Sequence, residues 1–174
     1  MTRPEPDFDR FVAAHGHGLE RYAYVLTGDP AAAQDLVQIA LLKAYRRWGR
    51  ISQVAHPAAY LRKVVTNSYL DQRRRPAEYP SADIPDSLAE DPAGDPLHRV
   101  VAADEVRRAL TVLSPQQRAV IVLRHFAGLD DAAIAEELEC SQGTVRTHAS
   151  RGLQRMRAAL AGRPTGPNLI GEST

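Results

Sequence analysis

The sequence predicts an all-α protein with two small helical domains, residues 7–75 and 98–161, joined by an acidic flexible linker at residues 76–97. Apolar residues recur at three- or four-residue steps in both domains, which is the spacing of amphipathic helices. The first domain also lacks the alternating pattern of a β-strand. The linker contains five prolines, six acids and no basic residue, so it cannot bury enough apolar surface to fold alone.

Three helices are predicted in the first domain. The first starts near Asp7, with Gly16 and Gly18 at positions suited to bend or split it. The second starts with Asp29 as N-cap and Pro30 in the first turn, and Gly49 is expected to end it. The third starts at His56 and Pro57. Its buried side is predicted to consist of Tyr60, Leu61, Val64, Val65, Ser68 and Tyr69.

Positive charge is concentrated at the end of the first domain. Between Lys43 and Arg75 there are nine lysines and arginines against a single acid, Asp71. Such a block is typical of single-stranded nucleic-acid binding when aromatic rings are interleaved, because unpaired bases stack on rings while cations follow the phosphates. The interleaved rings here are Tyr45, Trp48, Tyr60 and Tyr69. Taken one at a time, each of these aromatics is better explained as a core residue. The excess of eight positive charges as a set favours nucleic acid as the partner.

The second domain carries three helix-start signals, at Ser114, Asp130 and Ser141. Ser114, followed by proline and then by glutamine at the third position, predicts a capping box. The apolar spacing predicts buried positions before and after this cap, among them Val106, Leu110, Leu113, Val120, Ile121, Leu123 and Phe126.

Residues 131–160 contain two helical patterns separated by a very short break, which predicts a helix-turn-helix. In the second of these helices the predicted buried stripe is Val145, Ala149, Leu153, Met156 and Leu160. The opposite face is polar and basic, and there is no acid between Ser141 and Arg163. A plain αα-hairpin with a solvated face is the alternative, although such a face usually carries charges of both signs.

Three stretches of this sequence resemble segments of the bacterial sigma-70 family, specifically the extracytoplasmic-function (ECF) sigma factors. GDPAAAQDLVQIALLKAYRRW is similar to a helix of the family's region 2, and HPAAYLRKVVTNSYLDQRRR is similar to its promoter-melting segment. The stretch LSPQQRAVIVLRHFAGLDDAAIAEELECSQGTVRTHASRGLQRMR is similar to region 4. The resemblance covers about residues 8–160 and leaves out the Gly/Pro-rich tail, 162–174. It implies that 7–75 is region 2, 98–161 is region 4, and the chain is a promoter-selecting subunit of RNA polymerase.

The resemblance also implies roles for particular positions. The clamp coiled coil of polymerase would be contacted by Asp35, Leu36 and Gln38. The unpaired minus-ten strand would be held by Tyr60, Arg62, Lys63, Asn67, Arg73, Arg74 and Arg75. The minus-thirty-five element would be read by Thr144, Arg146, Thr147, His148, Ser150, Arg151 and Arg155. At the clamp-binding motif the sequence departs from the family pattern, because Ile39 and Ala40 replace the usual acid and its neighbour.

The partners implied by the resemblance are core RNA polymerase, through its clamp coiled coil and its flap, and promoter DNA. An anti-sigma factor is a third candidate partner. The linker matches the family segment that runs through polymerase near the RNA path.

No catalytic, metal-binding or cofactor-binding pattern is found. His15, His17 and Cys140 do not have the spacing of zinc ligands, and Gly16 and Gly18 lack the strand that precedes a phosphate-binding loop. We therefore expect no cofactor and no enzymatic activity. A single cysteine and the absence of a signal peptide or a ~20-residue apolar run predict a cytoplasmic protein without membrane insertion.

One alternative function stays open at this point. A dimeric helix-turn-helix regulator that binds an operator without polymerase would account for residues 98–160. It would leave the basic block at 43–75 and the Asp35–Gln38 motif without a use.

Overall fold

The computed structural model describes residues 6–74 and 96–162, with side chains described for 7–74 and 104–162. Within these residues the chain is all-α, as predicted, with eight helices and no strand. None of these helices is both long enough and apolar enough to cross a membrane. The predicted linker up to residue 95 and the predicted tail from residue 163 lie outside the described residues.

The first domain consists of α1 (Pro6–Thr27), α2 (Pro30–Tyr45), α3 (Trp48–Ile51) and α4 (Pro57–Arg74). The predicted cap at Asp29 is confirmed, because its side chain accepts a hydrogen bond from the Ala31 N–H at 3.0 Å. Gly28, with φ of +71°, provides the left-handed turn between α1 and α2. Gly16 and Gly18 do not interrupt α1.

The prediction that α2 continues to Gly49 is wrong. The helix ends at Tyr45, and Gly49 lies inside the short α3. The break places Trp48 against two rings of α1, with centroid distances of 5.0 Å to Phe8 and 4.9 Å to Phe11. Burial of this large indole in the core decides where the helix ends, which a local glycine signal does not report.

The second domain consists of α5 (Pro96–Thr111), α6 (Pro115–His125), α7 (Asp131–Glu137) and α8 (Gln142–Ala161). All three predicted caps are confirmed, including the reciprocal capping box between Ser114 and Gln117. α7 and α8 form the predicted helix-turn-helix. Its turn contains Glu139 in the left-handed region, with φ of +53°.

Four residues that were predicted to be buried are exposed: Tyr60, Val106, Phe126 and Leu160. Leu160 lies in the last turn of α8, where every side chain from 157 to 161 faces solvent. Phe126 follows the end of α6, outside the helix whose periodicity placed it in the core. Helical spacing identifies one face of a helix but does not show how far along that face a neighbour extends.

The two domains pack against each other. Buried residues of both form one continuous apolar cluster, which includes Leu26 and Leu61 from the first domain and Leu123 and Ile134 from the second. α6 contacts both α1 and α4 across this interface. The arrangement brings the helix-turn-helix next to α4, so candidate binding residues of the two domains lie close together.

Candidate nucleic-acid and polymerase-binding surfaces

The outer face of α8 has the properties of a recognition helix. Val145 and Ala149 are buried against the rest of the domain, which fixes the direction of the opposite face. The Ser141 hydroxyl accepts a hydrogen bond from the Thr144 N–H at 3.0 Å and holds the helix start. Of the predicted DNA-binding residues on this helix, His148 is half-buried, and those exposed to solvent are Thr144, Arg146, Thr147, Ser150, Arg151 and Arg155.

The side chains on this face differ in how firmly they are held. Arg146 donates from Nε to Asp131 at 3.4 Å and from Nη2 to Gln142 at 3.2 Å. Asp131, the first residue of α7, is also paired with Arg124. Arg151, in contrast, has no hydrogen bond or ion pair among the described residues. The first helix of the motif therefore orients Arg146. The side chain of Arg151 is free to adjust its conformation to contact a DNA phosphate.

Two other residues of this face are turned partly toward the protein. The Thr147 hydroxyl donates to the Gly143 carbonyl oxygen, one turn earlier, at 3.0 Å. Arg155 donates to the side chain of Gln117 in α6 at 3.3 Å. Both keep an exposed edge toward solvent.

On α4, Tyr60 is 38% exposed and Asn67 is half-buried two helical turns later. The exposed Arg73 lies over the Tyr69 ring, 5.7 Å from its centroid, and Arg74 is exposed beside Asp71. Arg75 lies outside the described residues. Tyr60 is the only exposed ring of the four interleaved with basic residues, because Tyr69 and Trp48 are buried and Tyr45 is half-buried.

Arg62 and Lys63, also on α4, are turned toward the second domain. Arg62 Nη2 donates to Glu137 Oε2 of α7 at 3.0 Å. Lys63 Nζ lies 4.0 Å from Glu139 Oε1 and 3.5 Å from the Glu136 carbonyl oxygen. No local sequence pattern indicates these pairs, because the partners lie more than seventy positions apart along the chain.

Buried hydrogen bonds on the core side of α4 also hold the part of the helix that carries Arg62. The Thr66 hydroxyl donates to the Arg62 carbonyl oxygen at 3.0 Å, so its oxygen is free to accept from the Tyr22 hydroxyl, 2.7 Å away. Burial raises the pKa of Tyr22 above its ordinary value, so the hydroxyl stays protonated. This buried hydrogen bond connects α1 to the turn of α4 that carries Arg62 and Lys63.

The predicted clamp-binding motif needs a correction. Asp35 and Gln38 are exposed on α2, but Leu36 has no exposed surface and belongs to the core. Its side chain therefore supports the helix and does not reach a partner. Two residues that were not predicted, Ile39 and Leu42, are exposed apolar side chains on the Asp35 face. Their spacing of four and seven residues from Asp35 was the signal that could have identified them.

Cys140 lies between α7 and α8, half-buried against the core cluster. Burial raises the pKa of its thiol, which disfavours the reactive thiolate. Cys140 is therefore a packed side chain at the turn of the helix-turn-helix.

Comparison with known proteins identifies both domains. A family model described as Sigma-70 region 2 matches residues 11–78, and one described as Sigma-70, region 4 matches residues 103–156. The RNA polymerase sigma-E factor of Streptomyces avermitilis is 35% identical over 159 residues, which are 90% of this chain and 87% of that protein. The ECF RNA polymerase sigma factor SigM of Mycobacterium tuberculosis is 32% identical over 162 residues, 93% of this chain and 81% of SigM.

Solved structures show the same fold. The sigma factor RpoE of Bartonella quintana, crystallised with the anti-sigma factor NepR, has a TM-score of 0.64 at 22% identity and covers 92% of this chain and 100% of that one. The ECF sigma factor SigJ of Mycobacterium tuberculosis has a TM-score of 0.60 at 33% identity, over 84% of this chain and 52% of SigJ. The chain therefore belongs to the ECF sigma factors of the sigma-70 family, which bind core RNA polymerase and direct it to promoter DNA.

Proposed function

We propose that three helices divide the work of this sigma factor: α2 binds polymerase, α4 holds the melted minus-ten strand, and α8 reads the minus-thirty-five element. The observation that carries the proposal is the outer face of α8. That face is polar and basic without a single acid, and it belongs to the second helix of a helix-turn-helix. A helix of this kind fits the major groove, where arginine reads guanine and hydroxyls contact bases or phosphates.

The polymerase contact is assigned to the exposed side of α2. Asp35 and Gln38 offer a charge and an amide, and Ile39 and Leu42 add apolar surface, with Leu42 54% exposed. A polar pair beside exposed apolar side chains is suited to bind a partner helix such as the clamp coiled coil. Because Ile39 replaces the acid that is usual in the family, the polymerase-binding surface of this chain is more apolar than the family pattern. The flap contact is assigned to the second domain.

The strand contact is assigned to α4. Tyr60 supplies an exposed ring for base stacking, Asn67 an amide for a base edge, and Arg73 and Arg74 charges for phosphates. Arg75, outside the described residues, extends the same cluster in the sequence. Arg62 and Lys63 are assigned to the same helix, and in the structure both contact acidic residues or a backbone carbonyl of the second domain.

In this proposal the chain is not an enzyme, because RNA synthesis takes place in the polymerase to which it binds. It acts in the cytoplasm, where polymerase and chromosome are found. A protein of the anti-sigma class is proposed as a further partner, by analogy with RpoE and NepR.

The experiment that separates this proposal from an operator-binding dimer is a footprint on duplex promoter DNA with and without core polymerase. We expect protection around positions minus thirty-five and minus ten only when core polymerase is present. Protection of a palindromic site by the chain alone would contradict the proposal and support the regulator.

A further inference from the structure

A series of polar contacts connects the end of α6 to the outer face of α8. Arg124, in the last turn of α6, pairs through Nη2 with Asp131 Oδ1. The other carboxylate oxygen of Asp131, Oδ2, accepts from Arg146 Nε at 3.4 Å. Gln142 Oε1 accepts from Arg146 Nη2 at 3.2 Å. These four residues line one surface hollow of about 520 Å³, to which α6, α7 and α8 all contribute.

The members of this series differ in how firmly they are held. The Arg124 and Asp131 side chains are 27% and 28% exposed, whereas that of Arg146 is 66% exposed. Arg124 follows Leu123, which has no exposed surface, and α7 is anchored in the core by Ile134, which has none either. Arg124 and Asp131 therefore belong to the fixed body of the domain, and Arg146 is the member that reaches solvent.

The contacts leave one edge of Arg146 free. A guanidinium group has five N–H donors, on Nε, Nη1 and Nη2. Asp131 and Gln142 occupy donors on Nε and Nη2, and Nη1 has no partner among the residues that the structure describes. The outer edge, formed by Nη1 and the second N–H of Nη2, can donate to the O6 and N7 acceptors of guanine. Because the Nε side is held, Arg146 offers this edge in one direction.

We propose that Arg124 is a positioning residue for promoter recognition, which acts on Arg146 through Asp131 and contacts no base itself. This inference rests on the proposed role of α8 in reading the minus-thirty-five element. Arg124 lies in α6, outside the helix-turn-helix, so the charge pattern of α8 assigns it no role.

Arg124 decides how Asp131 holds Arg146. By occupying Oδ1, it leaves Oδ2 as the oxygen for Arg146, which is a single contact. Without Arg124 both oxygens are available, and a carboxylate in that state binds an arginine through two parallel hydrogen bonds. Such a pair would take the Nη2 donor from Gln142 and turn the guanidinium toward α7. The outer edge of Arg146 would then no longer point in its observed direction.

The test uses the full chain with core RNA polymerase and a set of promoters in which each base pair of the minus-thirty-five element is changed in turn. Relative transcription from these promoters gives a preference at each position. Arg146→Ala identifies the position that this residue reads, as the one whose preference is lost. Each preference is a ratio measured with one protein, so a loss of folded protein does not change it.

The variant is Arg124→Met, and its matched control is Arg157→Met. The control removes the same charge from an exposed site of α8 that makes no ion pair among the described residues. A double variant, Arg124→Met/Asp131→Ala, is compared with Asp131→Ala alone. This comparison shows whether Arg124 acts through Asp131 or independently of it.

We expect Arg124→Met to lower the preference at the Arg146 position about fivefold and to leave all other positions within about twofold. Arg157→Met should change the preference at no position. The double variant should discriminate as well as Asp131→Ala alone, because the effect of Arg124 requires the carboxylate that it holds.

A loss of transcription that is equal at every position, with unchanged preferences, would show that Arg124 binds a DNA phosphate and would overturn the inference. Additive losses in the double variant would overturn it as well. Failure of the proposed function is distinguishable, since the original chain would then show no preference at any base pair of the element. A preference that depends on Arg146 but not on Arg124 would refute only the positioning role.

Discussion

Arg118 of α6 donates two hydrogen bonds to one backbone oxygen of α1, that of Val25, from Nε at 3.1 Å and from Nη2 at 2.9 Å. The Val25 carbonyl lies in the last turn of α1, and the Asp29 N–H that could have reached it bonds to the Thr27 hydroxyl instead. α1 has no basic residue of its own in that turn. The second domain therefore supplies the positive charge that the helix end favours.

This contact also explains the glycine that follows α1. The φ angle of Gly28 is positive, so any side chain at this position would strain the backbone. A Cβ atom would also lie only 3.1 Å from Arg118 Nη2 and crowd the guanidinium group. Burial lowers the pKa of Arg118, but an arginine stays charged at any physiological pH. The pairing is thus a permanent, buried link between the domains.

We predict that Arg118→Met lowers the free energy of unfolding by about 1–3 kcal/mol, because the Val25 carbonyl loses both donors in a partly buried site. Methionine keeps most of the apolar stem. Urea denaturation followed by circular dichroism measures the change. Arg157→Met, at an exposed position of α8, is the control and should stay within about 0.5 kcal/mol of the original protein. Equal stability of the two variants would show that Arg118 does not hold the interface.

Gly152 of α8 lies at a close contact between α8 and α6. A Cβ there would lie 3.2 Å from Ile121 Cγ1 and 3.5 Å from Gln117 Cβ, both in α6. We predict that Gly152→Leu destabilises the protein by about 1–3 kcal/mol through overpacking. The same substitution at Gly18, which has no atom within 4 Å of an added Cβ, should instead stabilise by up to about 1 kcal/mol. A destabilisation of similar size at both positions would contradict the packing argument.

Asp131 is expected to position Arg146 for base recognition. We predict that Asp131→Asn lowers the preference for an intact over an altered minus-thirty-five element about fivefold, since an arginine without a fixed orientation loses part of its base discrimination. Competition between the two promoters in a transcription assay measures this ratio. Asp130→Asn removes the same charge one residue earlier and keeps a good N-cap, so its ratio should not change. An unchanged ratio in Asp131→Asn would exclude the positioning role.

The proposed stacking of an unpaired minus-ten base on the Tyr60 ring can be tested by substitution. We predict that Tyr60→Ala reduces transcription from a closed duplex promoter about tenfold and has a much smaller effect on a template with a pre-melted minus-ten region, because base stacking favours opening. Tyr60→Phe keeps the ring and should behave like tyrosine on both templates. Equal losses on the two templates would show that Tyr60 is needed for the helix and not for melting.

Local features of the fold were predictable and tertiary ones were not. The caps at Asp29, Ser114 and Ser141 are confirmed because capping involves only residues within one turn. The end of α2 was predicted wrongly because Trp48 packs against a helix that lies far away in the sequence.

In the candidate sites, too, local features were predictable from the sequence and tertiary contacts were not. The α8 face was predictable from spacing and charge, and its exposure agrees with that pattern. The burial of Leu36 agrees with the helical spacing of α2, which places this residue on the inward side with Val37 and Ala40. The partners of Arg62 and Lys63 were not predictable, because they depend on how the two domains pack. Motif similarity assigns a position to a role but does not report whether its side chain is accessible.

The most direct test of the central claim is run-off transcription with core RNA polymerase, with and without this chain. The account predicts transcripts with defined start sites only when the chain is present. It also predicts their loss in Asp35→Arg, whose exposed charge change should leave the thermal unfolding transition intact. Transcripts that do not depend on the chain, or full activity of Asp35→Arg, would contradict the account.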